Sequence, residues 1–358
     1  MLCGVCVLVF AVVLSNFGID ASLRGSSCIT PDGKHAVCRL WYECPKLRSI
    51  FPTKNEKERI YVEKSSCGNE IIDEFPEELL CCETTAANFR RNPRIPDRRT
   101  CGHDFSNRIL SGESTAVNEF PWMVLMQYQL KNSDIRRWLC AGTLINERYV
   151  LTAAHCFTST DYRLVNVRLG EFNISSPIDC QGSLCNNPED IGVEKIIVHY
   201  EYHNGSVDNR NDIALLRLSR RVMYSKFIQP ICLPRLNEAA EIGDRVTVAG
   251  WGQTEHHSMS NVKLKLEVPI VNHADCTKKY SHFLNLASTQ ICAGGVKGKD
   301  SCRGDSGGPL MKAANDDPST WYLEGIVSFG NSCGLQGWPG VYTKVESFLS
   351  WIHDNVED

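Results

Sequence analysis

From residue 109 to the C-terminus, apolar residues come in short runs separated by Gly, Pro, Asn and Asp. The runs at 122–128, 138–145, 165–171, 193–199, 212–218, 245–251, 263–271 and 321–329 have the length and the β-branched and aromatic content of strands. Many short strands with turn residues between them predict an all-β sandwich or barrel. Only residues 345–356 place apolar side chains at helical spacing, so a single C-terminal helix is expected. The uncharged apolar run at 2–17 is shorter than the roughly 20 residues that a bilayer span needs. It reads as the core of a signal peptide occupying residues 1–21. No later stretch is apolar enough to span a membrane.

Residues 28–82 follow another pattern. They hold six cysteines, Cys28, Cys38, Cys44, Cys67, Cys81 and Cys82, and too little apolar sequence for a self-sufficient core. Disulfides must staple such a block. Zinc is disfavoured because paired CxxC spacing is missing and the compartment is oxidising. Six cysteines allow many connectivities, and the block alone does not choose among them. Residues 83–108 are polar, with Arg90, Arg91, Arg94, Arg98 and Arg99 interleaved with Pro93 and Pro96. This composition predicts an exposed linker open to trypsin-like cleavage.

Composition narrows the class. The chain has 358 residues, 42% hydrophobic and 22% charged, with a formal net charge of −4. That is globular rather than disordered, long enough for two domains, and without the basic excess that nucleic-acid binding requires. Of 18 cysteines, Cys3 and Cys6 leave with the signal segment, and the even remainder fits a fully paired secreted chain. Asn173 and Asn204 head Asn-x-Ser sequons that a secreted chain would glycosylate.

Three segments within the β-rich region carry chemistry: Thr152-Ala-Ala-His155-Cys156, Asp212-Ile-Ala-Leu215 and Gly304-Asp305-Ser306-Gly307-Gly308-Pro309. Nucleophilic hydrolysis needs a hydroxyl, a base within hydrogen-bond reach and a buried carboxylate that fixes the base's tautomer. The glycines around Ser306 let the backbone approach a substrate carbonyl, so that the N–H groups of Gly304 and Ser306 form an oxyanion hole. Singly each residue is weak evidence; in the order His, Asp, Ser they are strong.

On these segments, residues 109–358 resemble the chymotrypsin-like serine proteases. The resemblance implies two six-stranded β-barrels with the active site in the cleft between them, His155 as general base, Asp212 as its orienting carboxylate and Ser306 as nucleophile. Asp300, six residues before Ser306, matches the carboxylate at the base of the primary pocket in relatives that cleave after Arg or Lys. Gly330 and Gly340 match the positions that keep that pocket open, and Phe329 departs from the usual Trp. Arg108-Ile109 resembles the activation junction, where cleavage by another trypsin-like enzyme frees the Ile109 amine to pair with Asp305. The chain as written is then a zymogen. The same resemblance pairs Cys140 with Cys156, Cys276 with Cys292, Cys302 with Cys333 and, as a tether, Cys101 with Cys232. Cys180 and Cys185 remain as a bridge across a loop whose Glu171 and Glu189 stand near the place where relatives bind calcium. No cofactor is needed for the chemistry.

A six-cysteine block ending in Cys-Cys, an Arg-rich linker and a trypsin-like domain together resemble the clip-domain serine proteases of arthropods. That family pairs Cys28 with Cys81, Cys38 with Cys67 and Cys44 with Cys82. It implies a secreted enzyme of the haemolymph acting in an innate-immune cascade, on prophenoloxidase in melanisation or on the Toll-ligand precursor, and restrained by serpins. A non-catalytic clip-domain scaffold is opposed by Ser306 standing with His155 and Asp212. A digestive trypsin has no use for the N-terminal block and its tether at Cys101.

Overall fold

The structure, a computed structural model, describes residues 26–33, 35–41, 44, 55–72, 75–83, 92–106, 114–234, 240–253, 259–297, 304–331 and 334–358. In the N-terminal block, strands β1 (Ser27–Ile29), β2 (His35–Leu40), β3 (Ser66–Ile72) and β4 (Phe75–Glu83) form an antiparallel sheet in the order β1-β2-β4-β3. Helix α1 (Glu56–Lys64) precedes β3. Cys28–Cys81, Cys38–Cys67 and Cys44–Cys82 are bonded. These bridges tie β1 and the segment after β2 to the adjacent cysteines of β4, and β2 to β3, replacing the core that so short a segment cannot build.

Strands β5 (Met123–Leu130), β6 (Arg136–Leu144), β7 (Tyr149–Thr152) and β8 (Tyr162–Leu169) begin the first barrel. A small hairpin of β9 (Asp179–Gln181) and β10 (Leu184–Asn186), bridged by Cys180–Cys185, interrupts it. Strands β11 (Glu189–Val198) and β12 (Ala214–Leu218) then close it in the order β11-β12-β7-β6-β5-β8. The second barrel, β13-β14-β15-β18-β17-β16, uses β13 (Arg245–Gly250), β14 (Leu264–Val271), β15 (Gln290–Gly294), β16 (Pro309–Ala313), β17 (Trp321–Phe329) and β18 (Pro339–Lys344). Each closed barrel removes its own sheet edges, and buried apolar side chains pack its strands, Val124, Met126, Val150 and Val167 in the first and Val246, Val268, Leu310 and Tyr342 in the second.

The eight expected runs all fall on strands. Four further barrel strands, β7, β15, β16 and β18, escaped the reading because they are short and nearly every residue is buried, which erases the alternation. The expected C-terminal helix is present, and two helices that the apolar spacing did not mark accompany it. The C-terminus winds from a 3-10 turn, Val345–Phe348, into helix α3 (Leu349–Asn355), and helix α2 (His273–Tyr280) precedes β15. Helices α1 and α2 bury few apolar residues and are marked by their ends. Asn55 and Asn272 cap them through Lys57 N and Ala274 N, with acids in the first turn and lysines in the last.

The exposed-linker reading is corrected for residues 92–106. Asn92 donates to His353 O at 2.9 Å and Val356 O at 2.5 Å, and Asn146 Nδ2 donates to Arg94 O at 3.0 Å. Ile95 is buried, and Arg98, 5% exposed, pairs with Asp316. Gly102 accepts from Trp321 N at the start of β17 and donates to Pro230 O, beside Cys101–Cys232. The segment is a strap along the protease domain. Its prolines and arginines looked like solvated chain because their partners lie some 200 residues away.

Candidate functional site

Strand pairing positions the histidine and the aspartate. β7 and β12 are antiparallel with Thr152 opposite Ala214, so the residues just beyond, at 155 and 212, leave the barrel end together. His155 sits in the 3-10 turn Ala154–Phe157. Its backbone N–H donates to Asp212 Oδ1 at 2.8 Å and its Nδ1 lies 2.7 Å from Asp212 Oδ2. A donor at Nδ1 leaves Nε2 as the acceptor facing outward. Asp212 is fully buried, and the second barrel helps to compensate its charge: Ser328 Oγ on β17 donates to Oδ2 at 2.5 Å, and Thr343 Oγ1 on β18 donates to the Asp212 carbonyl at 2.8 Å.

Ser306 arrives from the second barrel on the turn that leads into β16. Its carbonyl accepts from Ala141 N on β6 at 2.8 Å and lies 3.8 Å from the bridged Cys156 Sγ, which places it beside the neighbour of His155. Gly307, at φ +79°, donates to Val327 O, and a Cβ there would stand 2.2 Å from Thr152 Oγ1 and 2.5 Å from Ala141 O. Only glycine fits this crossing between barrels. Among the described residues the Ser306 hydroxyl has no hydrogen bond to His155, a contact that commonly tightens only in the complex with substrate. Nor do Gly304 N–H and Ser306 N–H donate to a described backbone carbonyl. Gly304 is held at φ +100° against Gly252.

Asp305 is turned away from the cleft. Its Oδ1 accepts from Gly252 N at 2.8 Å, and a Cβ on Gly250 or Gly252 would lie 2.1 or 2.3 Å from its carboxylate. Gly330 and Gly340 face each other, with an added Cβ on Gly330 reaching Gly340 Cα at 4.0 Å. Phe329 and Trp338 both pack edge-on against Tyr280, whose hydroxyl donates to Pro339 O at 2.8 Å. Asp300, Arg108, Ile109, Cys302 and Cys333 lie outside the described residues. Cys140–Cys156, Cys276–Cys292 and Cys101–Cys232 are bonded.

Glu171 and Glu189, the carboxylates expected to hold calcium, do not converge. Glu189 pairs with Arg220, and Glu171 Oε2 lies 3.3 Å from Arg168 Nη1, whose guanidinium also grips Asp190. The carboxylate that does meet Glu171 is Asp179: both accept from Phe172 N. Burial and Asp179 push Glu171 up to about 7, while burial brings Lys263, whose nearest acid is Glu119, down to about 8. The clusters of three metal-ligating groups found among the described residues are Cys28, Cys38 and Cys67, and His155 with Cys140 and Cys156, and every cysteine in them is in a disulfide. Of the two sequons, Asn204 is exposed, and Asn173 accepts from Ser175 Oγ at 2.7 Å.

Sequence reasoning missed Ser328, Thr343, Gly250 and Gly252. Ser328 stands in the Ser-Phe-Gly segment read only for its pocket glycine, and Gly252 follows Trp251 at the end of a recognised run. Local patterning holds no signal for contacts across two barrels.

The family model described as "Trypsin" matches residues 109–352, and that described as "Regulatory CLIP domain of proteinases" matches residues 28–82. The chain is 39% identical over 365 residues to phenoloxidase-activating factor 1 of Holotrichia diomphalia, covering 96% of each chain. It is 40% identical over 371 residues to melanization protease 1 of Drosophila melanogaster, covering 92% of each. Among solved structures it resembles the Drosophila Grass clip serine protease of the Toll pathway, with a TM-score of 0.66 and 34% identity, covering 92% of this chain and 97% of that one.

Proposed function

This chain belongs to the clip-domain serine proteases and is a trypsin-like serine endopeptidase, and from that premise we propose that it is a secreted zymogen acting in the melanisation branch of an extracellular immune cascade. Ser306 attacks the scissile carbonyl, and His155 Nε2 takes the hydroxyl proton and later gives it to the leaving amine. Asp212 holds the imidazole tautomer and balances its charge, and the N–H groups of Gly304 and Ser306 receive the oxyanion. Asp300 below Gly330 and Gly340 selects Arg or Lys, because an unpaired buried carboxylate disfavours an apolar side chain. Cleavage after Arg108 frees the Ile109 amine to reach Asp305. A pair of that kind is typically worth about 3 to 5 kcal/mol, enough to order the pocket and the oxyanion hole.

The observation that carries this reading is the double hold of Asp212 on His155, at a point where Ser306 is itself pinned to β6. Catalysis requires no cofactor, and calcium has no part in the reading, since Glu171 and Glu189 engage separate arginines. Asn204 is the sequon best placed to carry a glycan. Melanisation is favoured by relatives named phenoloxidase-activating factors and melanization protease. The likeness to a Toll-pathway clip protease supports a second reading, processing of the Toll-ligand precursor. An upstream trypsin-like protease and serpins complete the partners.

The deciding experiment incubates the Arg108-cleaved enzyme with purified prophenoloxidase and with the Toll-ligand precursor, then sequences new N-termini. Cleavage of prophenoloxidase after Arg is expected. Cleavage of the other precursor alone transfers the enzyme to the Toll branch. Ser306→Ala should lose about 10⁶ in turnover, Arg108→Ala should block activation, and Asp300→Ser should abolish the Arg preference.

A further inference from the structure

One end of the first barrel carries four cations, none within ion-pair distance of a carboxylate among the described residues, against two nearby acids, Asp134 and Asp161. Lys131, Arg136 and Arg137 lie on the β5–β6 hairpin and Arg163 lies on β8; all four are exposed and none forms an ion pair among the described residues. Arg136 and Arg163 both register against Gln129 on β5, so their side chains stand in one row across three strands. Their contacts are neutral amides, Arg163 to Gln129 Oε1 at 3.1 Å and Arg136 to Gln127 Oε1 at 3.4 Å. A shallow cavity of about 490 Å³ opens between Arg163 and the hairpin, lined by Gln129, Lys131, Ser133 and Asp134. Ile135, 49% exposed, caps the tip. Elsewhere on the same barrel the exposed and half-exposed arginines 148, 217, 220 and 221 all have carboxylate partners. In a chain of net charge −4 this is a local reversal of sign.

Strand β6 connects the patch to the cleft. Ala141 on that strand donates to Ser306 O, and Arg137 and Arg136 lie four and five residues back along it. At a rise of about 3.3 Å per residue the basic row begins roughly 15 Å from the nucleophile. The pocket glycines, Gly330 and Gly340, belong to the second barrel, so the residues before the scissile bond lie there and those after it leave over the first barrel.

We propose that this face docks an acidic segment of the protein substrate, beginning about five residues beyond the scissile bond on the leaving-group side. The proposal rests on Ser306 and the two glycines having the roles given above. Complementary charge of this kind raises encounter rates and fixes register, and salt weakens it.

The test uses two synthetic peptides identical through the Arg at the cleavage point and for four residues after it, one continuing in glutamates and the other in serines. In 50 mM salt the native activated enzyme should cleave the glutamate peptide with about tenfold higher kcat/KM, and the ratio should approach one in 0.5 M salt. The triple variant Lys131→Glu, Arg136→Glu, Arg137→Glu should show a ratio at or below one while hydrolysing a small Arg anilide at the native rate. A native ratio near one, or a tenfold ratio that survives charge reversal, overturns the docking site. Failure of the native enzyme on the anilide and on both peptides would instead count against the active-site reading.

Discussion

Ser328 Oγ, on a strand of the second barrel, donates to Oδ2 of Asp212, which precedes a strand of the first, at 2.5 Å. The same oxygen faces His155 Nδ1 at 2.7 Å, so one carboxylate lone-pair region serves an imidazole and a hydroxyl from opposite barrels. Ser328→Ala should leave Asp212 with less compensation and a looser aim at His155. A hydrogen bond to a charged group is typically worth about 1.5 to 3 kcal/mol. The expected result is a roughly tenfold fall in kcat on an Arg anilide with KM little changed, and an unaltered kcat would show that His155 is oriented without Ser328.

Gly307→Ala places a methyl group where Thr152 Oγ1 and Ala141 O already stand, and at a φ of +79° that disfavours any side chain. The turn bearing Ser306 must shift. Active-site titration of the secreted variant should find almost no competent enzyme, whereas native-like burst amplitude would mean that the two barrels can part slightly at no cost.

Glu324 is buried on β17, with Oε2 accepting from Ala240 N and Oε1 without a partner. Burial chiefly, with Glu346 nearby, pushes it up from the ordinary 4.5 to about 7. Because the folded chain holds this proton more tightly than the unfolded one, the stabilisation is complete below pH 4.5 and is lost as the pH climbs to about 7. Glu324→Gln should therefore raise stability at pH 8 by about 2 kcal/mol, a shift of several degrees in melting temperature, and change little at pH 4.5. Equal shifts at both pH values would place the benefit in packing rather than in the proton.

The strap at 92–106 makes a proteolytic prediction. Arg98 is buried against Asp316, and the backbone beyond it turns back through bonds from Thr100 N and Cys101 N to Asp97 O. Trypsin requires extended, accessible chain. Limited digestion of the Ser306→Ala zymogen should yield an N-terminus at Ile109 and none at Arg99; an early cut after Arg98 would show that the strap opens readily.

The sequence made the architecture legible where burial is one-sided. The runs at 263–271 and 321–329 alternate or are long enough to read as strands, whereas β7 and β15 present five or fewer almost uniformly buried residues. The proposed catalytic residues were legible because each sits in a short motif, with glycines beside Ser306 where a larger side chain would collide. Their supports were not: Ser328 meets Asp212 across 116 residues, and Arg98 meets Asp316 across 218. Such partners are chosen by how two barrels and a strap come together, which no window of local sequence encodes. The arginine partners of Glu171 and Glu189, Arg168 and Arg220, were not legible in the local sequence either.

The Cys101–Cys232 bond lies seven residues before Arg108, within a strap already hydrogen-bonded to the second barrel. If the chain is cut after Arg108 as proposed, the N-terminal block becomes a separate polypeptide without becoming a separate solute. Anything it captures is then presented to the cleft intramolecularly, at an effective concentration on the order of millimolar. A clip contact far too weak to be seen in a binding assay would be enough to decide which protein substrate is cut first.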